Sequence, residues 1–254
     1  MCAHGRQVRL QLPCCGVEIP HLAGTGLCWA VCASYGLGGG PYPVEGEEPA
    51  FDLPPLDERE NQARLVEWMR EQKHTARITG KNARNLNPLI TETETGRRMD
   101  FAWWWLHLGG RPAKFSAFNS RSDALMSKWR APFQHRAIAP ATWYVEKGTS
   151  FALDGEAFGI AAITTTAEQH DDGGDLLTYS LVTRDAVAEA ARVHPRMPLI
   201  LPRELHDDWL DPDREGDAEL IAEMVAASDE LSDAIHPAPT RKASEPASDE
   251  ATLF

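Results

Sequence analysis

The spacing of hydrophobic positions changes partway along the chain, and the change separates a mixed first half from a stranded second half. Leu65, Val66, Trp68 and Met69 recur at helical intervals, and Asp57 stands three residues ahead of Glu60 as a start signal. A helix is therefore predicted from there to about Lys73. Residues 37–55 before it are rich in Gly and Pro and read as a loop. The run "MDFAWWWLHLGG", residues 99–110, reads as a strand ended by its glycines. "SRSDALMSKWRAPF", residues 120–133, predicts a helix with Ser122 as N-cap and Leu125 and Trp129 one turn apart.

From residue 136 the period shortens. "RAIAPATWYVEKG", "SFALDG", "AFGIAAITTTA", "LLTYSLVTR" and "RMPLILP" are short, rich in Ile, Val, Thr and aromatic residues, and separated by turn formers. They predict antiparallel strands. Short helices are expected at residues 185–191 and from Pro202 to about Leu210. A last helix is expected over 217–235, where Leu220, Ile221, Met224 and Val225 fall at helical spacing. Residues 236–254 are Pro, Ser, Glu and Ala-rich with little to bury, so a disordered acidic tail is expected there. The fold class that follows is α+β, a strand-rich, antiparallel, barrel-like single-domain core edged by helices.

At 254 residues and 43% hydrophobic composition, one sizeable core is enough. The net charge of -13 argues against a polyanionic partner until its distribution is read. Residues 204–254 hold 15 Asp/Glu against 3 Lys/Arg, whereas residues 73–136 hold 12 Lys/Arg against 4 Asp/Glu. The acidity is mostly C-terminal, and a basic middle remains. No run of eighteen apolar residues is present, so no membrane span is expected. "PCCGVEIPHLAG" is broken by Pro, Glu and His where a secretory core would be continuous, which points to a cytoplasmic protein. All five cysteines fall within residues 2–32, too clustered for a disulfide framework and not at a standard zinc spacing. No metal or cofactor is expected.

Several residues are candidates for chemistry. Glu146 ends the apolar strand "ATWYVEK" and shares a face with Tyr144 by strand alternation. As a bare pattern it equally describes a solvated strand end. His194 opens "HPRMPLILP" before a buried-looking run, where a lone histidine is commonly structural. Asn119 and Arg121 lie in "FNSRSD", where capping accounts for Asn and Ser.

Taken in order, the motifs resemble the SOS response-associated peptidase (SRAP) family, whose members process abasic sites in single-stranded DNA. The family opens with Met-Cys-Gly-Arg-Tyr, and Val31-Cys32-Ala33-Ser34-Tyr35 keeps the Cys and the Tyr at that spacing. Trp104-Trp105-Leu106 is similar to its Trp-Gly-Leu segment. Asn119-Ser120-Arg121-Ser122-Asp123 is similar to its Asn-Ala-Arg-Ser-Glu motif. Arg136, Pro140, Ala141 and Glu146 match a third motif in which a strand ends on Glu, with Thr142 and Lys147 standing where the family has Asp and Trp. "HPRMPLILP" matches its His-Asp-Arg-Met-Pro segment, and residues 163–167 resemble its Thr-Thr-x-Ala strand.

The resemblance implies an enzyme that forms a covalent thiazolidine crosslink with ring-opened abasic sites through an N-terminal cysteine, with self-processing peptidase activity and a hydrolase and lyase description. Cys32 would be the nucleophile, Glu146 and His194 the acid/base groups, and Asn119, Arg121 and Arg196 the holders of phosphate and sugar. The partner is single-stranded DNA, the protein a monomer, associated with the nucleoid when engaged. Only a first-residue cysteine offers both thiol and α-amine. Cys32 is internal here, so residues 1–30 are expected to be a non-native extension from a misassigned start, with Val31 the initiator codon read as Val. The catalytic domain then spans 31–235, and Cys2 is the alternative nucleophile. Two other readings stand beside this one: a thiol hydrolase using Cys32 and His194, and a non-covalent strand-binding module stacking bases on Trp103, Trp104 and Trp105.

Overall fold

The computed structural model describes Cys32 and residues 34–39, 51–168 and 176–238. Two sheets and a hairpin carry the strands: β1 (Ser34–Gly36), β2 (Thr75–Arg77), β3 (Leu86–Thr93), β4 (Gly96–Trp103), β5 (His107–Leu108), β6 (Arg111–Pro112), β7 (Asn119–Arg121) and β8 (Arg136–Ala141). The second half adds β9 (Trp143–Glu146), β10 (Thr149–Ala152), β11 (Phe158–Ala167), β12 (Leu176–Asp185), β13 (Arg196–Pro198), β14 (Ile200–Leu201) and β15 (His236–Pro237). Helices α1 (Arg59–Gln72), α2 (Ala188–Val193), α3 (His206–Leu210) and α4 (Ala218–Ala234) lie around them. The fold is α+β and strand-rich, with one main core.

The larger sheet runs β13-β12-β4-β3-β8-β11-β14, with β7 added to β12. A further β11–β12 pairing closes a circuit through β4, β3 and β8, although the β12–β4 link is the single parallel pair Thr178↔Trp103. This circuit is the physical content of the barrel-like expectation. Every residue of β8 is buried, which explains its continuous apolar run in place of alternation. The smaller sheet runs β15-β10-β9-β1-β2. The chain passes from one sheet to the other at Thr142, between β8 and β9, so Glu146 at the end of β9 is fixed relative to both. Gly36 is required where β1 crosses this junction, because a Cβ there would sit 2.2 Å from Trp143 and 2.3 Å from the His74 carbonyl oxygen.

Helix α4 matches its expected span, and Asp217 caps it by accepting from the Leu220 amide at 2.9 Å. Three expectations need correction. Residues 120–133 form no α-helix: two 3-10 turns, Ser122–Ala124 and Pro132–Gln134, bracket a run of turns, and the Ser122 side chain caps nothing. The amides of Ser127, Lys128 and Trp129 all converge on the Ala124 carbonyl. Burial of Leu125 and Trp129 is thereby met without a helical ladder, which a segment this short stabilises poorly alone.

The tryptophan strand stops at Trp103, where the Trp105 amide turns back onto the Trp103 carbonyl, and pairing resumes only at β5. The tail expected to be disordered from residue 236 begins inside the fold: β15 pairs with β10, Ala238 is buried, and its amide reaches the Ser150 carbonyl at 2.7 Å. Residues 239–254 lie outside the described residues, as do 1–31 with Cys2. No described helix is long and apolar enough to cross a membrane.

Candidate active site around Cys32

Strand β1 lies between β2 and β9, with Ser34 opposite Val145, Tyr35 opposite Tyr144 and Gly36 opposite Trp143. That register delivers Cys32 to the end of β9. Its main-chain nitrogen donates to Glu146 Oε2 at 2.6 Å, and both residues are buried. In the 254-residue chain this nitrogen is a peptide amide; in a chain beginning at Cys32 the α-ammonium would occupy its place. Cys32 has φ of 45°, a left-handed conformation unusual for a residue with a side chain.

The second carboxylate oxygen, Glu146 Oε1, lies 3.8 Å from His194 Nδ1. His194 follows α2, and the backbone of Arg196 brackets its Nδ1, with the carbonyl oxygen at 3.1 Å and the amide nitrogen at 3.2 Å, so either tautomer has a local partner. Burial pushes the Glu146 carboxyl above the usual carboxylate range, while the Cys32 N–H, His194 and Lys147 pull it partly back. Burial, then the neighbouring Glu146 charge, pushes the Cys32 thiol up, and its Sγ donates to the Ser34 carbonyl at 3.6 Å.

The side-chain amide of Asn119 in β7 donates to the Cys32 carbonyl at 3.4 Å, and its Oδ1 is buried without a partner among the described residues. Strand β12 aligns the remaining candidates, with Thr183 opposite Arg121 on β7 and Asp185 opposite Arg196 on β13. Arg196 is nearly buried and donates to Asp185 at 2.7 Å and to the Thr183 carbonyl. Arg121 is exposed and grips Asp123 through both Nε, at 2.9 Å, and Nη2. Cys32, Glu146, His194 and Asn119 are thus brought into one site, and the two arginines flank it, each paired with its own aspartate.

Sequence reasoning placed Tyr144 beside Glu146 and Tyr35 in the Cys32 motif but gave no partner for either and passed over Tyr179. Tyr35 and Tyr179 share a hydrogen bond of 2.6 Å, and Tyr144 is fully buried, stacked on Phe151 with ring centroids 5.1 Å apart. The Tyr144 hydroxyl has no partner among the described residues. The three-tryptophan stacking surface is not formed: Trp104 is buried against Tyr35 and Tyr179, Trp105 is buried, and Trp103 lies against His107. No three described His, Cys, Asp or Glu residues cluster as a metal site. A groove of about 880 Å³ beside α1, lined by Arg64, Trp68, Arg77 and Phe101 among others, contains none of the candidate residues.

Fold and site together define an α+β protein with a buried cysteine whose main-chain nitrogen is held by a glutamate beside a histidine. The sequence model of the SOS response associated peptidase (SRAP) family matches residues 56–241, well over half of the chain, and the chain belongs to that family. SRAP proteins are a peptidase-like, DNA-processing family. The match starts after Cys32, so the place of Cys32 in the site rests on its own geometry. No curated protein matches the sequence. Among solved structures, a phage-related protein from Bordetella bronchiseptica shares 18% identity over 83% of this chain and 95% of its own, with a TM-score of 0.51. A protein from Bacteroides thetaiotaomicron shares 22% identity over 60% of this chain and 72% of its own, with a TM-score of 0.48. At these identities the Bordetella likeness speaks for the fold alone.

Proposed function

We propose that the protein captures ring-opened abasic sites in single-stranded DNA as a thiazolidine, using Cys32 as the first residue of the working chain. The α-amine adds to the lesion's aldehyde carbon and the resulting carbinolamine loses water to give an imine. The thiol then adds across the C=N bond: sulfur bonds to carbon, its proton passes to nitrogen, and a five-membered ring closes. An α-amine, with a pKa near ~8, keeps a neutral nucleophilic fraction at physiological pH that a lysine does not. Glu146 takes the ammonium proton and returns it to the departing hydroxyl. His194 relays protons at the sugar oxygen, and Asn119, Arg121 and Arg196 hold sugar and phosphate.

The observation that carries this reading is the 2.6 Å contact from the Cys32 nitrogen to the buried Glu146 carboxylate. The φ of 45° at Cys32 supports it further. Inside a chain that torsion costs of order ~1 to 3 kcal/mol, and at a first residue it only turns the ammonium and costs nothing comparable. Exposure of Cys32 requires initiation at Val31 with loss of that residue, or removal of the preceding segment by the chain's own peptidase activity. A Cys-His thiol hydrolase is less well supported, because the Cys32 thiol donates to the Ser34 carbonyl and the histidine sits beside Glu146.

The test is a chain beginning at Cys32 mixed with single-stranded DNA carrying one abasic site, without reductant. An adduct that survives denaturing electrophoresis is expected, lost in Cys32→Ala and in a chain with one residue added before Cys32. Equal crosslinking by Cys32→Ala would overturn the mechanism, and native protein found to begin at Met1 or Cys2 would overturn the assignment of Cys32.

A further inference from the structure

The segment between the tryptophan corner and β7 carries an exposed aromatic that the proposed chemistry does not use. Phe115 is 42% exposed, yet its ring is firmly mounted: it tilts against buried Trp129 with centroids 5.8 Å apart, and Lys128 Nζ lies 4.0 Å from its centroid. The backbone beneath is clamped at both ends. Trp105 Nε1 donates to the Ala113 carbonyl at 3.1 Å, the Leu106 amide to the Ala117 carbonyl at 3.1 Å, and Trp104 Nε1 to the Phe118 carbonyl at 2.8 Å. A fixed, half-exposed ring offers a partner a flat apolar face without loss of side-chain freedom.

Its surroundings are mostly basic, with exposed Glu168 the one described carboxylate that packs alongside, against Gly110. Arg111, Lys114, Lys128 and Arg130 are exposed, and no described carboxylate forms an ion pair with them. Asp123 is the sole carboxylate between Phe101 and Val145, and Arg121 occupies it. Cations interleaved with a mounted aromatic suit a strand of phosphates and unpaired bases. The segment also runs straight into Asn119, whose amide contacts the Cys32 carbonyl. The four residues from Phe115 to Asn119 reach at most ~14 Å, about four nucleotides at a stacked rise of ~3.4 Å.

We propose that Phe115 and Lys128 form a stacking step for an unpaired base of the lesion-bearing strand, within about four nucleotides of the abasic site. This rests on the DNA reading above and adds an anchor away from the reacting atoms. Stacking engages any base through its π face, so the step grips the strand without selecting sequence.

The experiment measures binding of the 254-residue chain to single strands carrying a stable tetrahydrofuran abasic analogue, by fluorescence anisotropy. Strands carry either ten nucleotides on each side of the analogue or ten on one side only, ending at the analogue on the other. Phe115→Ala should weaken the long strand by about 5- to 100-fold, the scale of one lost base stack, while Phe115→Trp retains affinity. Trimming the side that Phe115 serves should remove the difference between Phe115→Ala and the parent. Lys128→Ala should lower the slope of log affinity against log salt by about one. Equal affinity of Phe115→Ala and the parent for long strands, or equal weakening on the long strand and on both one-sided strands, overturns the stacking step. A chain beginning at Cys32 and carrying Phe115→Ala should still react with glyceraldehyde at the parental rate. Loss of that reaction in both chains would instead sink the aminothiol chemistry, and absence of strand binding by the parent would sink the DNA reading together with the step.

Discussion

Replacing Glu146 with Gln in a chain beginning at Cys32 keeps the shape of the side chain and one oxygen to accept from the Cys32 nitrogen. It removes the charge and the capacity to carry a proton. Positioned acid/base groups contribute ~10² to 10⁴-fold, or about 3 to 5.5 kcal/mol of barrier at 1.36 kcal/mol per tenfold. Glu146 contacts the nitrogen directly at 2.6 Å, which places the expected loss within that range and not at the few-fold level of an outer contact. The assay is single-turnover adduct formation followed on denaturing gels, with binding to the abasic analogue measured in parallel. Rate should fall at least ~10²-fold while binding is held. Stability moves the other way in the 254-residue chain, where the nitrogen is an amide. Burial raises the Glu146 pKa in the folded state, so its favourable contribution is complete below the unfolded carboxylate pKa and is lost as pH rises through the folded value. Glu146→Gln should remove that fall, so its Tm should decline less than the parent's from mildly acidic to neutral pH. A variant that crosslinks at the parental rate refutes the role of Glu146.

Three further outcomes follow from packing. Tyr144→Phe removes a buried hydroxyl that has no described partner, so Tm should stay the same or rise; a drop of several degrees would show a bond to an undescribed group. Truncation after Ala238 should leave Tm unchanged, whereas truncation before His236 should lower it in thermal melts by removing β15 and the Ala238–Ser150 bond; equal melting of the two would make β15 dispensable. Trp104→Ala should cost ~3 to 5 kcal/mol in denaturant unfolding, because its ring packs between Tyr35 and Tyr179.

The strands of the second half were legible because β8, β11 and β12 are apolar and β-branched runs buried along nearly their whole length. Helix α4 was legible through Asp217 and its apolar face. Strand β3 was not. Its "LNPLITET" carries an Asn and a Pro in the first three positions, and Asn87 is nevertheless fully buried, a tertiary choice that local pattern does not disclose. The turns over 122–131 were misread because burial of Leu125 and Trp129 four residues apart suits a helix and a carbonyl hub equally well. At the site, residue types in order were readable, but the partner of each was not. Arg121 and Arg196 were expected to hold phosphate and sugar, and nothing in the local pattern disclosed that Asp123 and Asp185 pair with them.

That pairing bears on how a strand would enter. A phosphate arriving at Arg196 meets a guanidinium whose Nε is buried with no hydrogen-bond partner among the described residues, and whose other nitrogens are held by Asp185 and Thr183. It does not reach the buried Nε directly and must displace or share the Asp185 carboxylate, itself 88% exposed and cheap to release into water. Arg121 and Asp123 are both exposed, so solvent screens their ion pair even though Nε and Nη2 grip both carboxylate oxygens. The aspartates therefore hold the two arginines in place while the site is empty and oppose a phosphate only modestly. Since β12 fixes Arg121, Asp185 and Arg196 through its pairing with β7 and β13, and β9 fixes Glu146, the binding and chemical halves of the proposed site are held among the described residues by strand register.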